Sequence, residues 1–384
     1  MSNQPAVMGP DGVARPYIGG QALLEGVMMR SPHAFSAVVR RRNGSLVVRE
    51  RPMADLRRGV RAWPIVRGMM ALVEALKLGS QALRFSAEIY EQDLEEEDEK
   101  QGAAKAKAVS GTMVLSALAL PIVHLMTAPP ELASRQPAEG SKAKGLMGIL
   151  SIVFAIGLFV ALPQAFAAGA SSLFDLNLDV RSPLFQLLTS SAKLMILVGY
   201  MLLIRRLPEI YRVFQYHGAE HKSIYAYESG AELTVENARR HTTLHPRCGT
   251  TFIVMVALVS VLVFSCLGPF LPQLGLGKLA DNLLFFALKL PFLPLIAAIT
   301  FELQRVLAKY CSTGPLSLLL WPGFLVQKIT TIEPDDQQLE VALSALLVTL
   351  RVETGQAAVR AADASFPSYA ALAEVAPSFQ DAVA

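Results

Sequence analysis

Cysteine is scarce in this sequence. There are three in 384 residues: Cys248, Cys266 and Cys311. So few cannot build a disulfide framework, and Cys266 lies inside an apolar run, which suits a reducing compartment or burial in a membrane. Charge is scarce as well. Asp, Glu, Lys and Arg make up 17% of the chain, against about 25% in an ordinary soluble domain. The net charge of +3 is too small to suggest nucleic acid as a partner. The polar Met1–Arg15 segment has no apolar h-region, so no signal peptide is expected. No glycine-rich loop of P-loop or dinucleotide type is present, which argues against ATP or NAD use. Histidine is rare too, with six in all, yet four of them fall between positions 217 and 245.

What the chain has in quantity is apolar residues, 52% of the total, with a mean hydropathy of +0.39. That composition excludes a disordered chain and predicts a multi-span membrane protein with modest soluble parts. Four stretches, 146–168, 184–204, 250–267 and 279–300, are each near the ~20 residues that a helix needs to cross the hydrocarbon core. A fifth run, 109–128, is shorter and contains Pro121 and His124. Charge decides its role. Residues 1–62 hold ten arginines against four acids, the 205–249 connection holds seven Lys and Arg, and 301–328 holds Arg305, Lys309 and Lys328. The positive-inside rule places these three segments in the cytoplasm together. That needs an even number of crossings between 62 and 205, so 109–128 is read as an interfacial or re-entrant helix. The expected fold is thus a mainly α-helical polytopic membrane protein. It has about four transmembrane helices, interfacial helices and a small N-terminal β-hairpin, with both termini cytoplasmic and the lipid bilayer as its surroundings.

The expected organisation follows in order. Residues 1–62 form a cytoplasmic segment whose runs 35–41 and 45–51 flank Asn43-Gly44, a hairpin signal. The tip, Arg40, Arg41 and Arg42, suits anionic headgroups or a solvated turn equally. Residues 63–100 carry an amphipathic interfacial helix opened by Pro64, then an acidic run read as a solvated linker. Residues 101–144 hold the candidate re-entrant helix. The two transmembrane pairs lie in 145–204 and 250–300, on either side of the 205–249 segment. In 301–353 an interfacial loop with Trp321 precedes a helix over 335–353, whose Leu339, Leu343, Leu346 and Leu350 share one face. The remainder, 354–384, reads as a flexible tail.

The chemistry concentrates in 205–249. His217 and His221 stand at i and i+4, which on a helix aims two imidazoles from one face at a shared ion. With Glu220 they make H-x-x-E-H, the reversed form of the zinc-peptidase helix motif, in which a glutamate takes the proton of an activated water. Gly218 weakens the helix by about 1 kcal/mol relative to Ala. Glu228 falls near the same face, and Gly230 is a natural stop. Downstream, His241, His245 and Cys248 add an H-x-x-C pair. Two residues from each segment give a His₃Cys set that suits zinc, with cobalt, nickel or iron also compatible. Four protein ligands would make a closed structural site, whereas a catalytic site needs one position open. Cys248 also begins a helix, which favours its thiolate as a ligand or, paired with His245, as a nucleophile.

Three blocks resemble a known family, the YqhQ family of bacterial membrane proteins. They are YIGGQALLEGVMMR from Tyr17 to Arg30; the stretch from Tyr216 to Phe252 containing HGAEHK, ELTVEN and HPRCGT; and Pro322-Gly323 through TTIEPDD to Glu340-Val341-Ala342. The resemblance implies a bacterial inner-membrane protein of a kind described as predicted metal-dependent enzymes. It carries over His217, Glu220, His221, His245 and Cys248 as motif positions, leaves His241 outside the pattern, and marks 103–144 as an insertion. Glu25, in the Gly-Gly-Gln block, is a further candidate as ligand, general base or partner of Arg30. Glu302 is a weaker one, with Arg305 at i+3.

Three functions are compatible with these residues. The first is a membrane metal-dependent hydrolase acting at the cytoplasmic face on a peptide, lipid or lipid-linked substrate. His217 and His221 would hold a divalent transition metal, zinc by preference, with His245 or Cys248 as third ligand and Glu220 or Glu25 as base. The second is a non-catalytic scaffold, in homo-oligomeric form or with other partners, held by a structural metal. The third is transport, for which Lys193 and Lys289 are meagre material.

Overall fold

The computed structural model describes residues 6–10, 12–53, 63–101, 154, 157–176, 178–179, 182–267, 270, 284–285, 287–311, 315–356, 358–360 and 362–375. Strands β1 (Ala6–Met8) and β2 (Ala14–Pro16) form a two-stranded ribbon. Five more strands form an antiparallel sheet in the order β3 (Gly19–Leu23), β4 (Gly26–Arg30), β5 (Ala34–Arg40), β6 (Leu46–Pro52) and β7 (Ala364–Phe366). The expected hairpin is β5–β6, with Arg40 opposite Leu46 and Gly44 at φ 87° in its turn. It is the centre of a larger sheet and does not stand alone.

The helices are α1 (Pro64–Gln101), α2 (Leu162–Leu173, preceded by a π turn), α3 (Pro183–Ile204), α4 (Pro208–Glu228), α5 (Val235–Arg239), α6 (Gly249–Leu267), α7 (Phe292–Tyr310), α8 (Trp321–Thr330), α9 (Asp336–Glu353) and α10 (Tyr369–Ala373). Side chains alternate across the pleat with period two, so the sheet has two apolar faces. Leu23, Met28, Phe35, Ala37 and Val39 pack on Ala82 and Phe85 of α1. Val27, Met29, Val38, Leu46 and Val48 pack on Tyr216, Ala219 and Tyr227 of α4 and on Leu339, Leu343, Leu346 and Leu350 of α9. The head is therefore three layers: α1, sheet, then α4 with α9. Helix α9 starts at a capping box between Asp335 and Gln338. It is buried all round, beyond the single apolar face expected of it.

Three expectations are corrected. The acidic run is not a solvated linker. It continues α1, and its carboxylates hold the hairpin tip: Arg41 Nε donates to Asp93 Oδ1 at 2.6 Å, the Arg42 backbone N–H to Asp93 Oδ2 at 2.9 Å, and Arg42 pairs with Glu97. The basic tip thus meets the protein's own acids, with Arg40 taken by Glu340. The second correction is the 314–331 loop, which contains a 3-10 turn over Pro315–Leu320 and then α8. The third is the tail. It holds β7, which pairs with β6, and α10, whose Leu372 reaches the main core.

Two helices are long and apolar enough to cross a membrane, α3 with a mean hydropathy of 1.9 and α6 with 2.5. Only 11% and 28% of their apolar windows are buried. The helices therefore present their side chains outward, as a lipid-facing helix does and the core helix of a soluble protein does not. The expectation of four spans meets these two among the described residues. The 146–168 and 279–300 stretches fall partly outside the described residues, and 109–128 and the 101–144 insertion lie almost wholly outside them. Helix α7 packs against the start of α1, where the two Arg67 guanidinium nitrogens donate to Glu302 at 2.9 and 2.6 Å. Arg305, the expected partner of Glu302, is 3.9 Å away.

Candidate metal centre

Helix α4 carries H-x-x-E-H through its middle, one layer away from β3. Gly218 is there because the helix crosses the chain after α8 at close range. A Cβ at that position would stand 2.1 Å from the Ile332 carbonyl oxygen. This contact brings His217 under the end of α8 and His221 under the loop before α6. His217 Nδ1 lies 2.9 Å from the Thr330 carbonyl oxygen, and His221 Nδ1 is bonded to the Thr243 carbonyl. A carbonyl only accepts, so each Nδ1 carries the proton and each Nε2 keeps its lone pair. Carbonyls in this role fix the tautomer of a metal-ligating histidine.

Both free nitrogens turn toward one thiol. His217 Nε2 is 3.2 Å from Cys248 Sγ, and the ligand atoms of His217, His221 and Cys248 all lie within 4.8 Å of one another. Thr250 adds its hydroxyl 3.1 Å and its backbone N–H 3.4 Å from the same sulfur. Burial works to raise the Cys248 pKa, but His221 and the Thr250 hydrogen bonds outweigh it and the thiol is lowered. His221 is lowered chiefly by burial, which favours the neutral imidazole that a metal requires.

Glu220 is 5% exposed. Its carboxyl rests on Gly20 of β3, where a Cβ would sit 2.8 Å from Oε1. Burial raises its pKa to about 8, with His217 pulling it down and Cys248 pushing it up. It is therefore a protonated acid near neutral pH, within electrostatic reach of two members of the trio.

The remaining sequence candidates fall outside the trio. His245 is its neighbour, with its ring 5.4 Å from that of His221. Its Nε2 faces Glu228 at 3.7 Å and its ring stands edge-on to Tyr225 at 4.7 Å. Burial lowers its pKa to about 4. Glu228 pairs with Arg247, whose guanidinium covers the Tyr17 ring. His241 stacks on Tyr225 and reaches the Ser229 hydroxyl at 3.3 Å. Glu25 is held in the β3–β4 turn at φ 51°, in a two-pronged ion pair with Arg212 that Tyr216 also touches. Its partner is thus Arg212 and not Arg30, which binds Glu74.

Two glutamines that sequence reasoning missed hold the loop that presents Cys248. Gln327 of α8 is fully buried. It accepts from the His245 backbone N–H at 2.7 Å and donates to the His245 carbonyl at 2.8 Å. Gln304 of α7 donates to the carbonyls of Pro246 at 3.2 Å and Cys248 at 3.0 Å. Four elements thus converge on the trio: α4 supplies the two histidines, the loop before α6 the cysteine, and α7 and α8 the frame.

Residues 63–352 match the family model described as "Protein of unknown function (DUF1385)". The chain is 32% identical over 343 residues to "Uncharacterized protein YqhQ" of Bacillus subtilis (strain 168), an alignment that covers 88% of this chain and 93% of that protein. No solved structure matches it.

Proposed function

The chain belongs to the family of the YqhQ and DUF1385 proteins. From that premise, we propose that it is an integral membrane metal-binding protein, and a hydrolase-like enzyme working at the cytoplasmic face of the bacterial inner membrane. The observation that carries this reading is the tautomer lock: Thr330 and Thr243 fix both histidines with Nε2 free and converging on Cys248. Two imidazoles and a thiolate suit zinc among the divalent metals. Three protein ligands leave a fourth position open, as catalytic sites require. A bound ion would supply Lewis acidity and make water a nucleophile near neutral pH.

The residues around it have definite tasks. His221 and Cys248 are buried, while His217 is only half-buried, so a substrate enters from the His217 side. Glu220 holds or releases a proton at its carboxyl, and a group poised near pH 8 suits both directions. Gln327 and Gln304 keep the Cys248 loop in place. The exposed apolar faces of α3 and α6 support a head lying against the bilayer, and on this reading the substrate is a membrane peptide or lipid. The alternative is a scaffold with a structural ion, favoured by the position of His245. It is 4% exposed beside the trio and near enough to close a four-ligand shell after a side-chain shift.

Elemental analysis of detergent-purified protein tests the reading. Wild type is expected to hold near one equivalent of transition metal. His217→Ala and His221→Ala lose it, and Glu220→Gln retains it. No bound metal after loading under reducing conditions would remove both readings. Loss of metal from His245→Ala as complete as from His221→Ala would favour the closed, structural site.

A further inference from the structure

A cavity of about 710 Å³ opens where the apolar helix α3 gives way to α4, lined by Leu202, Arg205, Arg206, Pro208, Tyr211 and Arg212. Its size falls in the range of ligand sites. Its chemistry is divided. Its lining sets three guanidiniums and a phenol beside the apolar Leu202 and Pro208. Arg212 is committed to Glu25, and Arg205 donates to the Lys328 carbonyl at 3.4 Å. Arg206 is exposed and has no ion-pair partner among the described residues. The lining therefore keeps a positive surplus at the boundary of an apolar helix. Leu202 of the lining is 47% exposed, and Leu203, next to it in the chain, is 65% exposed.

We propose that this cavity binds the phosphate of an anionic phospholipid, with Arg205 and Arg206 on the phosphate oxygens and an acyl chain along Leu202 and Leu203. Guanidiniums form the strongest charge-assisted pairs with phosphate, and basic pockets at the cytoplasmic ends of membrane helices are suited to such headgroups. A soluble phosphate compound shares the headgroup chemistry. It gives no reason for the exposed Leu202 and Leu203 next to the arginines. The site is separate from the metal centre and rests only on α3 lying in a bilayer.

The test uses full-length protein purified in neutral detergent. It is titrated with phosphatidylglycerol, with phosphatidylcholine of the same acyl length, and with glycerol 3-phosphate. The readouts are the unfolding midpoint and the phosphorus retained through gel filtration. Phosphatidylglycerol is expected to be retained and to raise the midpoint. The Arg205→Gln/Arg206→Gln variant should bind it about tenfold more weakly, and Lys309→Gln should match wild type. Arg206→Gln alone, at an exposed position, reports the loss if the double variant folds poorly. Equal effects of the two lipids, or equal binding by the arginine variants, would overturn the site. Binding of glycerol 3-phosphate as tight as that of the lipid would assign the arginines to a soluble ligand and overturn the lipid. Recovery of the protein from the soluble fraction without detergent would remove the bilayer placement itself.

Discussion

At Gly218 an added methyl would meet the Ile332 carbonyl, and at Gly20 it would meet the Glu220 carboxyl. The first obstacle is backbone, which cannot turn aside, so α4 or the chain after α8 must move. Alanine is the better helix former by about 1 kcal/mol, yet overpacking of this kind costs about 1–3 kcal/mol. Gly218→Ala is therefore expected to lower the unfolding midpoint and to weaken metal retention, because His217 and His221 flank the displaced turn. Thermal unfolding read beside metal content checks both, and a stabilised variant would refute the close approach. The convergence of His217, His221 and Cys248 was legible at this scale, since i, i+4 histidines and an H-x-x-C pair state their geometry locally, but the sequence did not separate His245 from them. Gln327 and Gln304 were not legible. Each acts on a loop more than fifty residues away in sequence, and nothing in a lone glutamine announces that.

Among the elements, α1 and the sheet edge carry the clearest consequences. Asp93 is 6% exposed and holds both Arg41 and the Arg42 backbone. Removing it leaves the Arg41 guanidinium to Glu96 alone and strands the Arg42 N–H. Asp93→Ala should cost about 1–3 kcal/mol and speed amide exchange in the 41–45 turn, and unchanged exchange there would sink the brace. The acidic run and the basic tip were each visible in the sequence, but their pairing was not, because the two lie fifty residues apart and join only once α1 packs on the sheet. Strand β7 was invisible for another reason: three residues are too few to show a period. It nevertheless covers the edge of β6, and Arg360 beside it supplies two hydrogen bonds to Glu50, a carboxylate 1% exposed. Deleting residues 357–384 would leave Glu50 to Arg351 alone and open a hydrogen-bonding edge. The truncated chain is expected to self-associate, which light scattering of the purified protein would show; a monodisperse product would argue that β7 is dispensable.

For the molecule as a whole, composition already pointed to a membrane, and the two outward-facing apolar helices agree. What composition did not convey is the size of the head, because strands β3 and β4 hide in a glycine-rich stretch and α9 lies more than three hundred residues further on. Helix α1 links the two parts. At 38 residues and 1.5 Å per residue it runs about 57 Å, with Arg67 on α7 at one end and Asp93 under the hairpin at the other.

The order of the strands along the chain sets a timetable for synthesis. Strands β3 to β6 leave the ribosome first, and α1 follows to cover one of their faces. The other face is covered in part by α4 and completed only by α9, which is translated after both apolar helices. At about 5–20 residues per second the interval is on the order of tens of seconds. Over that time the nascent sheet stays partly open while α3 and α6, the two helices apolar enough to span a membrane, are made. Closure of the head thus comes after the apolar helices are made, so a chain stalled between them and α9 would keep a sticky, unfinished sheet for quality-control proteases to find.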